Sequence, residues 1–248
     1  MDWSYDSGYF ATGGVDKKII LWDPKSSKPT HYFQKHTDTV ECVKFNPYQG
    51  GSTHLASASR DTTVRLWDLN YFNKSETILK NHSKAVTSIS FSSRLPFLVS
   101  VSKDKNAYLC KTSTPKRKTK LPKSTSYGEY NYVSWSKQGH WIGCVGESKH
   151  IAIWKWNGNR AIFERHIENH KNLSKLNSVN WSSSEDQLIT SCEDGVVRIF
   201  DTLTGKLEEI ISGHQGNVFE AHFSPDFSSS HVASVSADST LQVCRLQK

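Results

Sequence analysis

Histidine, serine or threonine, and aspartate recur together along the chain, in the combination that hydrolases use as a catalytic triad. A triad is needed once, whereas these residues return in several copies, and no G-x-S-x-G nucleophile elbow occurs. We therefore predict that they are structural and that the chain is not an enzyme and has no catalytic residue. The sets are His36, Ser57 and Asp61; His82, Ser100 and Asp104; His170, Thr190 and Asp194; and His214, Ser234 and Asp238.

Metal and cofactor sites find no support in the sequence. His166 and His170 are four residues apart, but a zinc protease needs H-E-x-x-H, and Glu168 comes one position too late. The five cysteines are odd in number and form no C-x-x-C pair, which indicates buried free thiols. Neither G-x-x-x-x-G-K-[ST] nor G-x-G-x-x-G is present. The sequence thus predicts no metal, no cofactor and no small-molecule substrate.

The elements that must position these residues repeat with a fixed period. Each copy contains alternating apolar and polar residues, which predicts short half-buried strands, and no stretch has a convincing helical period. A unit of about 44 residues with four strands is typical of a β-propeller blade. An aromatic residue closing the first strand recurs in steps of 42 to 46 residues, at Trp3, Phe45, Phe91, Trp135, Trp181 and Phe223. A turn residue keeps a similar spacing, at Asp16, Asp61, Asp104, Ser148, Asp194 and Asp238.

Three segments carry a family resemblance. LASASRDTTVRLWD at 55–68, preceded by His36, resembles the WD repeat, and ATGGVDKKIILWD at 11–23 and ITSCEDGVVRIFD at 189–201 are similar to it. The resemblance implies one all-β domain over 1–248, a β-propeller of about six four-stranded blades. We expect the first and last blades to be incomplete and the chain to be a fragment or short isoform of a seven-bladed propeller; the rival is a six-bladed ring with an imperfect seam. The repeat units are expected at about 1–35, 36–81, 82–126, 127–169, 170–213 and 214–248.

The resemblance also implies a hydrogen-bonded tetrad in each well-preserved blade. The second unit has all four members, His36, Ser57, Asp61 and Trp67, and should be the best ordered by polar bonds. The other units lack one or more members of the tetrad. The first unit keeps Thr12, Asp16 and Trp22, and the fourth keeps Trp154 but has Ser148 in place of the aspartate. In the third, fifth and sixth units the tryptophan is replaced by Cys110, Phe200 and Cys244. The fourth unit is expected to rely on apolar packing from Trp135, Trp141, Ile153 and Trp154.

The predicted function is a protein-interaction scaffold whose partners dock on the narrow top face of the propeller. Arg60 and Lys103 are expected to grip an acidic or phosphorylated segment, and Phe219 is a candidate apolar anchor. The family's top-face positions map onto Val15, Arg60, Lys103, Glu147, Glu193 and Ala237, then Thr39, Ala85, Glu129, Lys175 and Asn217, then Glu41, Thr87, Asn131, Asn177 and Phe219.

Two alternatives stay open. The first is a substrate receptor of a ubiquitin ligase; that subgroup carries Arg two residues after the W-D pair, where this chain has Lys25 at best. The second is a propeller enzyme with its active site in the central channel, which requires convergent carboxylates or histidines. The first strands carry no repeated acid.

The positive charge is concentrated in one segment. The net charge is +7, and without the six cations of 111–123 it falls to +1. The candidates Lys116, Arg117, Lys118 and Lys120 are either a nuclear-import signal or a charged outer strand that resists edge pairing. Because no aromatic residues are interleaved with them, nucleic-acid binding is not expected. Without an apolar N-terminal segment or a membrane span, we expect a cytoplasmic or nuclear protein that is not secreted.

Overall fold

The regular elements of the chain are β-strands, numbered β1 to β23 in chain order, and the described residues form no α-helix. None of these residues therefore belongs to a helix long and apolar enough to cross a membrane. The strands assemble into antiparallel sheets within two compact units, Met1–Lys120 and Leu121–Lys248. The computed structural model describes residues 1–48, 54–71, 76–115, 117–122, 128–168, 174–226 and 228–246.

The first compact unit contains three sheets, each made of four strands that follow one another along the chain. Sheet 1 consists of β1 (Asp2–Trp3), β2 (Phe10–Gly13), β3 (Ile19–Asp23) and β4 (Lys28–Phe33). Sheet 2 consists of β5 (Val40–Phe45), β6 (His54–Ser59), β7 (Val64–Asp68) and β8 (Glu76–Leu79). Sheet 3 consists of β9 (Val86–Phe91), β10 (Phe97–Ser102), β11 (Ala107–Lys111) and β12 (Lys118–Lys120).

The second compact unit repeats this plan, with two four-stranded sheets and one sheet of three described strands. Sheet 4 consists of β13 (Tyr130–Trp135), β14 (Trp141–Gly146), β15 (His150–Trp156) and β16 (Ala161–Glu168). Sheet 5 consists of β17 (Leu176–Trp181), β18 (Gln187–Cys192), β19 (Val197–Asp201) and β20 (Leu207–Ile211). Sheet 6 consists of β21 (Val218–Phe223), β22 (His231–Ser236) and β23 (Leu241–Arg245).

Apolar side chains on the two faces of each sheet pack consecutive sheets against each other inside each unit. In the first unit, Ile19 and Leu21 of sheet 1 share a cluster with Val43 and Leu55 of sheet 2. A second cluster joins sheets 2 and 3. In the second unit, one cluster joins sheets 4 and 5 and another joins sheets 5 and 6. The middle strand β14 is covered on both faces, and all six of its residues are buried.

The first strand of sheets 2 to 6 contains a β-bulge at its second residue. In sheet 2, Val40 pairs with Ser59 and Cys42 pairs with Ala58, so Glu41 has no partner in the ladder. A bulge kinks its strand and redirects the extra side chain. The bulged residues are Glu41, Thr87, Asn131, Asn177 and Phe219.

The predicted all-β fold of repeated antiparallel sheets is confirmed, and the six sheets correspond to the six predicted repeats. The first and sixth sheets are the smallest, as expected. In sheet 1, β1 has two residues that pair with β2, and sheet 6 has three strands in the part of the chain that is described.

Candidate protein-interaction site

Sheet 2 contains a complete chain of hydrogen bonds linking an entry loop, two strands and a turn. Trp67 Nε1 donates to Ser57 Oγ at 2.9 Å, and His36 Nε2 lies 2.7 Å from the same oxygen. The other ring nitrogen, His36 Nδ1, lies 2.7 Å from Asp61 Oδ2. The serine hydroxyl therefore donates to Nε2 while Nδ1–H donates to the carboxylate, which satisfies all four buried groups.

The Asp61 carboxylate is the acceptor on which the turn of sheet 2 is built. The Thr37 amide donates to Oδ2 at 3.1 Å, and the Thr63 hydroxyl donates to Oδ1 at 2.6 Å. Burial alone would raise the pKa of Asp61, but the hydrogen bonds from Thr63, His36 and Thr37 lower that pKa to about 2. The aspartate is therefore ionised at neutral pH and holds the entry loop and the turn together.

A second serine, two residues after the tetrad serine, fixes the same turn. Ser59 Oγ donates to the Asp38 carbonyl at 3.0 Å and accepts the Asp61 amide at 3.1 Å. Sequence analysis missed this residue, although the S-x-S spacing recurs in three units and was the signal that could have found it. Its counterparts are Ser102, bonded to the Lys84 carbonyl and Asp104 amide, and Ser236, bonded to the Gly216 carbonyl and Asp238 amide.

Sheets 3 and 6 bring the predicted His, Ser and Asp together without the tryptophan. In sheet 3 the Nδ1–Oδ2 distance is 3.0 Å and the Nε2–Oγ distance 2.9 Å, for His82, Asp104 and Ser100. In sheet 6 the same distances are 3.0 and 2.9 Å, for His214, Asp238 and Ser234. Burial would raise the pKa of Asp104, but bonds from His82 and the Ser83 amide lower it to about 2. The pKa of Asp238 is lowered mainly by the Thr240 hydroxyl.

Sheet 1 retains one contact of the tetrad. Trp22 Nε1 donates to Thr12 Oγ1 at 2.9 Å. Asp16 does not join this pair but accepts the Lys18 amide at 3.2 Å within its own turn.

Among the residues described for sheet 4 and its loops, no tetrad contact forms. Trp154 is buried, and its indole donates to the Pro122 carbonyl at 2.9 Å. Ser148, at the aspartate position, has its hydroxyl 3.5 Å from the His150 carbonyl. Apolar residues named from the sequence, Trp135, Trp141 and Ile153, are all buried.

In sheet 5 an arginine binds the turn aspartate. The guanidinium of the buried Arg198 donates to Asp194 Oδ1 at 3.2 Å and to Oδ2 at 2.7 Å. Burial would lower the pKa of Arg198, but the bond to Asp194 raises it. Phe200 is fully buried at the tryptophan position, Thr190 is buried on β18, and His170 lies outside the described residues. Arg198 was not predicted from the sequence, because arginine is usually solvent-exposed.

A backbone hydrogen bond brings two of the three predicted docking positions together in each of sheets 2 to 6. In sheet 2 the Arg60 amide donates to the Thr39 carbonyl at 2.9 Å, which places the turn beside the bulged Glu41. The equivalent bonds join Lys103 to Ala85, Glu147 to Glu129, Glu193 to Lys175, and Ala237 to Asn217, at 2.8 to 3.0 Å.

Ion pairs change the charge that these positions present. Arg60 Nε donates to Glu41 Oε1, and this contact raises the pKa of Arg60. Lys175 Nζ lies 2.7 Å from Glu147 Oε1, across sheets 5 and 4. Lys103 and Glu193 are exposed and form no ion pair among the described residues. The cation of Arg60 is therefore paired with Glu41, whereas that of Lys103 is not paired among the described residues.

Phe219 is the exposed aromatic residue of the docking positions. Its side chain is bulged out of β21 and 54% exposed, while its carbonyl accepts the Ser191 hydroxyl at 3.1 Å. Val15, in the turn of sheet 1, is 81% exposed.

The basic segment lies at the outer edge of sheet 3. Lys118 and Lys120 are exposed on β12, which pairs only with β11 among the described strands. The Lys118 ammonium lies 5.4 Å from the centre of the Tyr108 ring. Arg117 is exposed, and Lys116 lies outside the described residues. This placement fits a charged edge strand.

One acid and one histidine occupy a first strand in the second unit. Glu220 Oε1 accepts the Tyr132 hydroxyl at 2.6 Å and lies 2.9 Å from His222 Nε2. This single pair is not the convergent set that a hydrolytic centre needs. Across the described ranges, no three histidine, cysteine, aspartate or glutamate residues are placed to hold a metal ion.

Comparisons with known proteins agree with the repeats seen in the structure. The family described as WD domain, G-beta repeat matches residues 1–23, 27–68 and 73–110. The WD40 domain of anaphase-promoting complex subunit 4 matches residues 133–226. The nuclear distribution protein nudF of Aspergillus niger is 25% identical over 221 residues, covering 88% of this chain and 48% of the relative. The chain thus spans about half the length of this curated relative. Together the repeated sheets and the two family matches show that the chain belongs to the WD-repeat family.

Proposed function

We propose that this chain is a non-catalytic scaffold that docks protein partners on the turn and bulge residues at the tetrad end of its sheets. WD repeats in general form protein-interaction scaffolds. The observation that carries the proposal is the backbone bond between each turn and the start of its first strand. It holds exposed side chains in a repeated arrangement on loops that buried polar groups already fix.

The fixed loops are suited to binding because little order is lost when a partner docks. Three turn carboxylates each accept a hydrogen bond from a histidine ring and another from the backbone amide of the residue after that histidine; they belong to Asp61, Asp104 and Asp238. These three turns are therefore fixed before a partner binds. Preorganised loops reduce the entropic cost of association. Several neighbouring turns are needed, since a stable interface covers about 800 Å² on each partner.

The charge of these loops favours an acidic or phosphorylated segment at the first compact unit. Lys17, Lys84, Lys103 and Lys105 are exposed in the turns and entry loops of sheets 1 and 3. Arg60 adds a cation that is partly neutralised by Glu41. Ammonium groups form strong, charge-assisted hydrogen bonds with carboxylate and phosphate oxygens. In the second unit Glu193 and Phe219 offer a carboxylate and an aromatic contact instead.

Charge reversal at one end of sheet 3 tests the proposal. The bait carries Lys103→Glu, and the matched control carries Arg94→Glu in the loop at the opposite end of the same sheet; both residues are exposed. Proteins captured from a cell extract are quantified by mass spectrometry against the unchanged chain. We expect Lys103→Glu to reduce the capture of acidic or phosphorylated partners at least tenfold, and Arg94→Glu to leave it unchanged. An identical set of partners for both variants would refute the docking surface.

A further inference from the structure

Sheet 6 has one apolar face that is exposed, although the equivalent face of sheet 5 is buried. On sheet 5, Ile189, Val197 and Ile199 are buried. The matching positions on sheet 6 are Ala233, Leu241 and Val243; Leu241 is 65% and Val243 61% exposed. The face is apolar in sequence but has not been covered.

These residues form a continuous surface rather than scattered contacts. Val235 pairs with Leu241, and Ala233 pairs with Val243, so the four side chains lie together on two adjacent strands. We call Ala233, Val235, Leu241 and Val243 the open back face. Contiguous apolar patches on a soluble protein indicate an interaction site.

The second compact unit shows what kind of surface covers such a face. The back face of sheet 5 packs against the front of sheet 6, where Val218, Phe223 and Val232 complete the same cluster. The matching occupant for sheet 6 is therefore the front face of another sheet with this repeat.

Sheet 1 carries such a front face, and it is open. In sheet 2 the front residues Phe45, Leu55 and Trp67 are buried. Their counterparts on sheet 1 are Trp3, Phe10 and Trp22, which we call the open front face. Trp3 is 50% exposed and the other two are partly exposed. The Phe10 ring stacks on Trp22, with centroids 5.8 Å apart, and is tilted by 38° against Trp3, with centroids 5.1 Å apart.

We propose that a second copy of this chain covers the open back face with its own open front face, so that copies associate head to tail. The contact reproduces the sheet-on-sheet packing that the chain builds within each compact unit. Because the two surfaces differ, the interface is heterologous, and it either closes into a small ring of copies or continues as a chain.

Mass measurements on face variants test this proposal. The purified chain is examined by sedimentation velocity and light scattering between 1 and 100 μM, concentrations chosen on the order of usual homo-oligomer affinities. We expect the average mass to rise to at least twice that of one chain. Leu241→Glu/Val243→Glu and Trp3→Glu should each remain monomeric, with circular dichroism unchanged. Mixing the two variants should restore a species of two chains, because each keeps one intact face.

A matched control and two contrary results complete the test. Ile210→Glu changes a residue of sheet 5 that is exposed to a similar degree, and self-association should persist. A chain that stays monomeric at every concentration would overturn the proposal and indicate a different partner for the open back face. Loss of association in the double variant, with Trp3→Glu still self-associating, would show that the back face pairs with itself, which also contradicts the proposal.

Discussion

Sheets 2 and 4 solve the same structural problem with different chemistry. Sheet 2 links His36, Ser57, Asp61 and Trp67 through hydrogen bonds. The described residues of sheet 4 form no such chain, and Trp154 there donates to the Pro122 carbonyl. Both sheets nevertheless have four antiparallel strands. A four-stranded sheet therefore forms without the tetrad. We infer that the main effect of the tetrad is to fix the entry loop and the turn.

Small residues explain how sheet 4 dispenses with polar contacts. Cys144 and Gly146 stand where sheet 2 has Ser57 and Ser59, and burial raises the pKa of the Cys144 thiol well above its usual range. A Cβ at Gly146 would lie 2.0 Å from the Glu129 carbonyl oxygen. The backbone can approach closely there because glycine has no side chain. Apolar packing thus replaces hydrogen bonding at matched positions.

Removal of the buried indole of sheet 4 should produce the largest loss of stability. Trp154→Ala leaves a cavity in a fully packed region and should lower the free energy of unfolding by about 3–5 kcal/mol. Urea denaturation followed by tryptophan fluorescence and circular dichroism measures the change. Tyr71→Ala, at an aromatic residue that is 62% exposed, is the control and should cost less than about 1 kcal/mol. Equal losses for the two variants would contradict apolar support of sheet 4.

Removal of the turn carboxylate of sheet 2 should cause the second largest loss of stability. Asp61→Ala leaves His36 and the Thr37 and Thr63 donors without their acceptor, and should cost about 2–3 kcal/mol. The matched change in sheet 4 is Ser148→Ala, which should stay within about 0.5 kcal/mol. Urea denaturation of both variants makes the comparison, and a loss in sheet 4 as large as that in sheet 2 would refute it.

A methyl group at the close approach in sheet 4 should have a smaller effect. Gly146→Ala forces the Glu129 backbone to move and should cost about 2 kcal/mol through overpacking. Ser59→Ala, the matched change in sheet 2, keeps a Cβ that already fits and loses only hydroxyl bonds, at about 1 kcal/mol. Thermal denaturation measures both losses of stability. A larger loss for Ser59→Ala than for Gly146→Ala would show that the contact between Gly146 and the Glu129 carbonyl is not tight.

Acid should reduce the contribution of Asp61 in sheet 2 to the free energy of unfolding, and should leave the contribution of Ser148 in sheet 4 unchanged. The folded-state pKa of Asp61 is lowered to about 2, from 3.8 in the unfolded chain, so its stabilisation is present above pH 3.8 and is lost as pH falls through 2. After allowance for solvent screening, we expect roughly 1 kcal/mol from this group. The stability difference between the unchanged chain and Asp61→Asn should shrink between pH 4 and pH 2. The corresponding difference for Ser148→Ala should not vary with pH, and a constant Asp61 difference would contradict the assignment.

The strands and repeat period could be predicted from the sequence because alternation and turn residues are local signals. The bulges could not, since Glu41 and Phe219 leave the ladder through pairing with a distant strand. The ion pair of Arg60 with Glu41 involves the same bulged residue, so it could not be predicted either. The bond from Arg198 to Asp194 could not be predicted either, because a buried arginine becomes favourable only once its carboxylate lies within reach.

Hydrogen exchange in the two sheets tests most directly whether the tetrad fixes the docking loops. The measurement compares the unchanged chain with Asp61→Asn at neutral pH, by mass spectrometry of peptides covering 36–40, 59–64 and 141–154. The account predicts at least tenfold faster exchange in the two loop segments of sheet 2, with 141–154 in sheet 4 unchanged. Unaltered exchange around Thr37 and Thr63, or equal loosening of sheet 4, would contradict it.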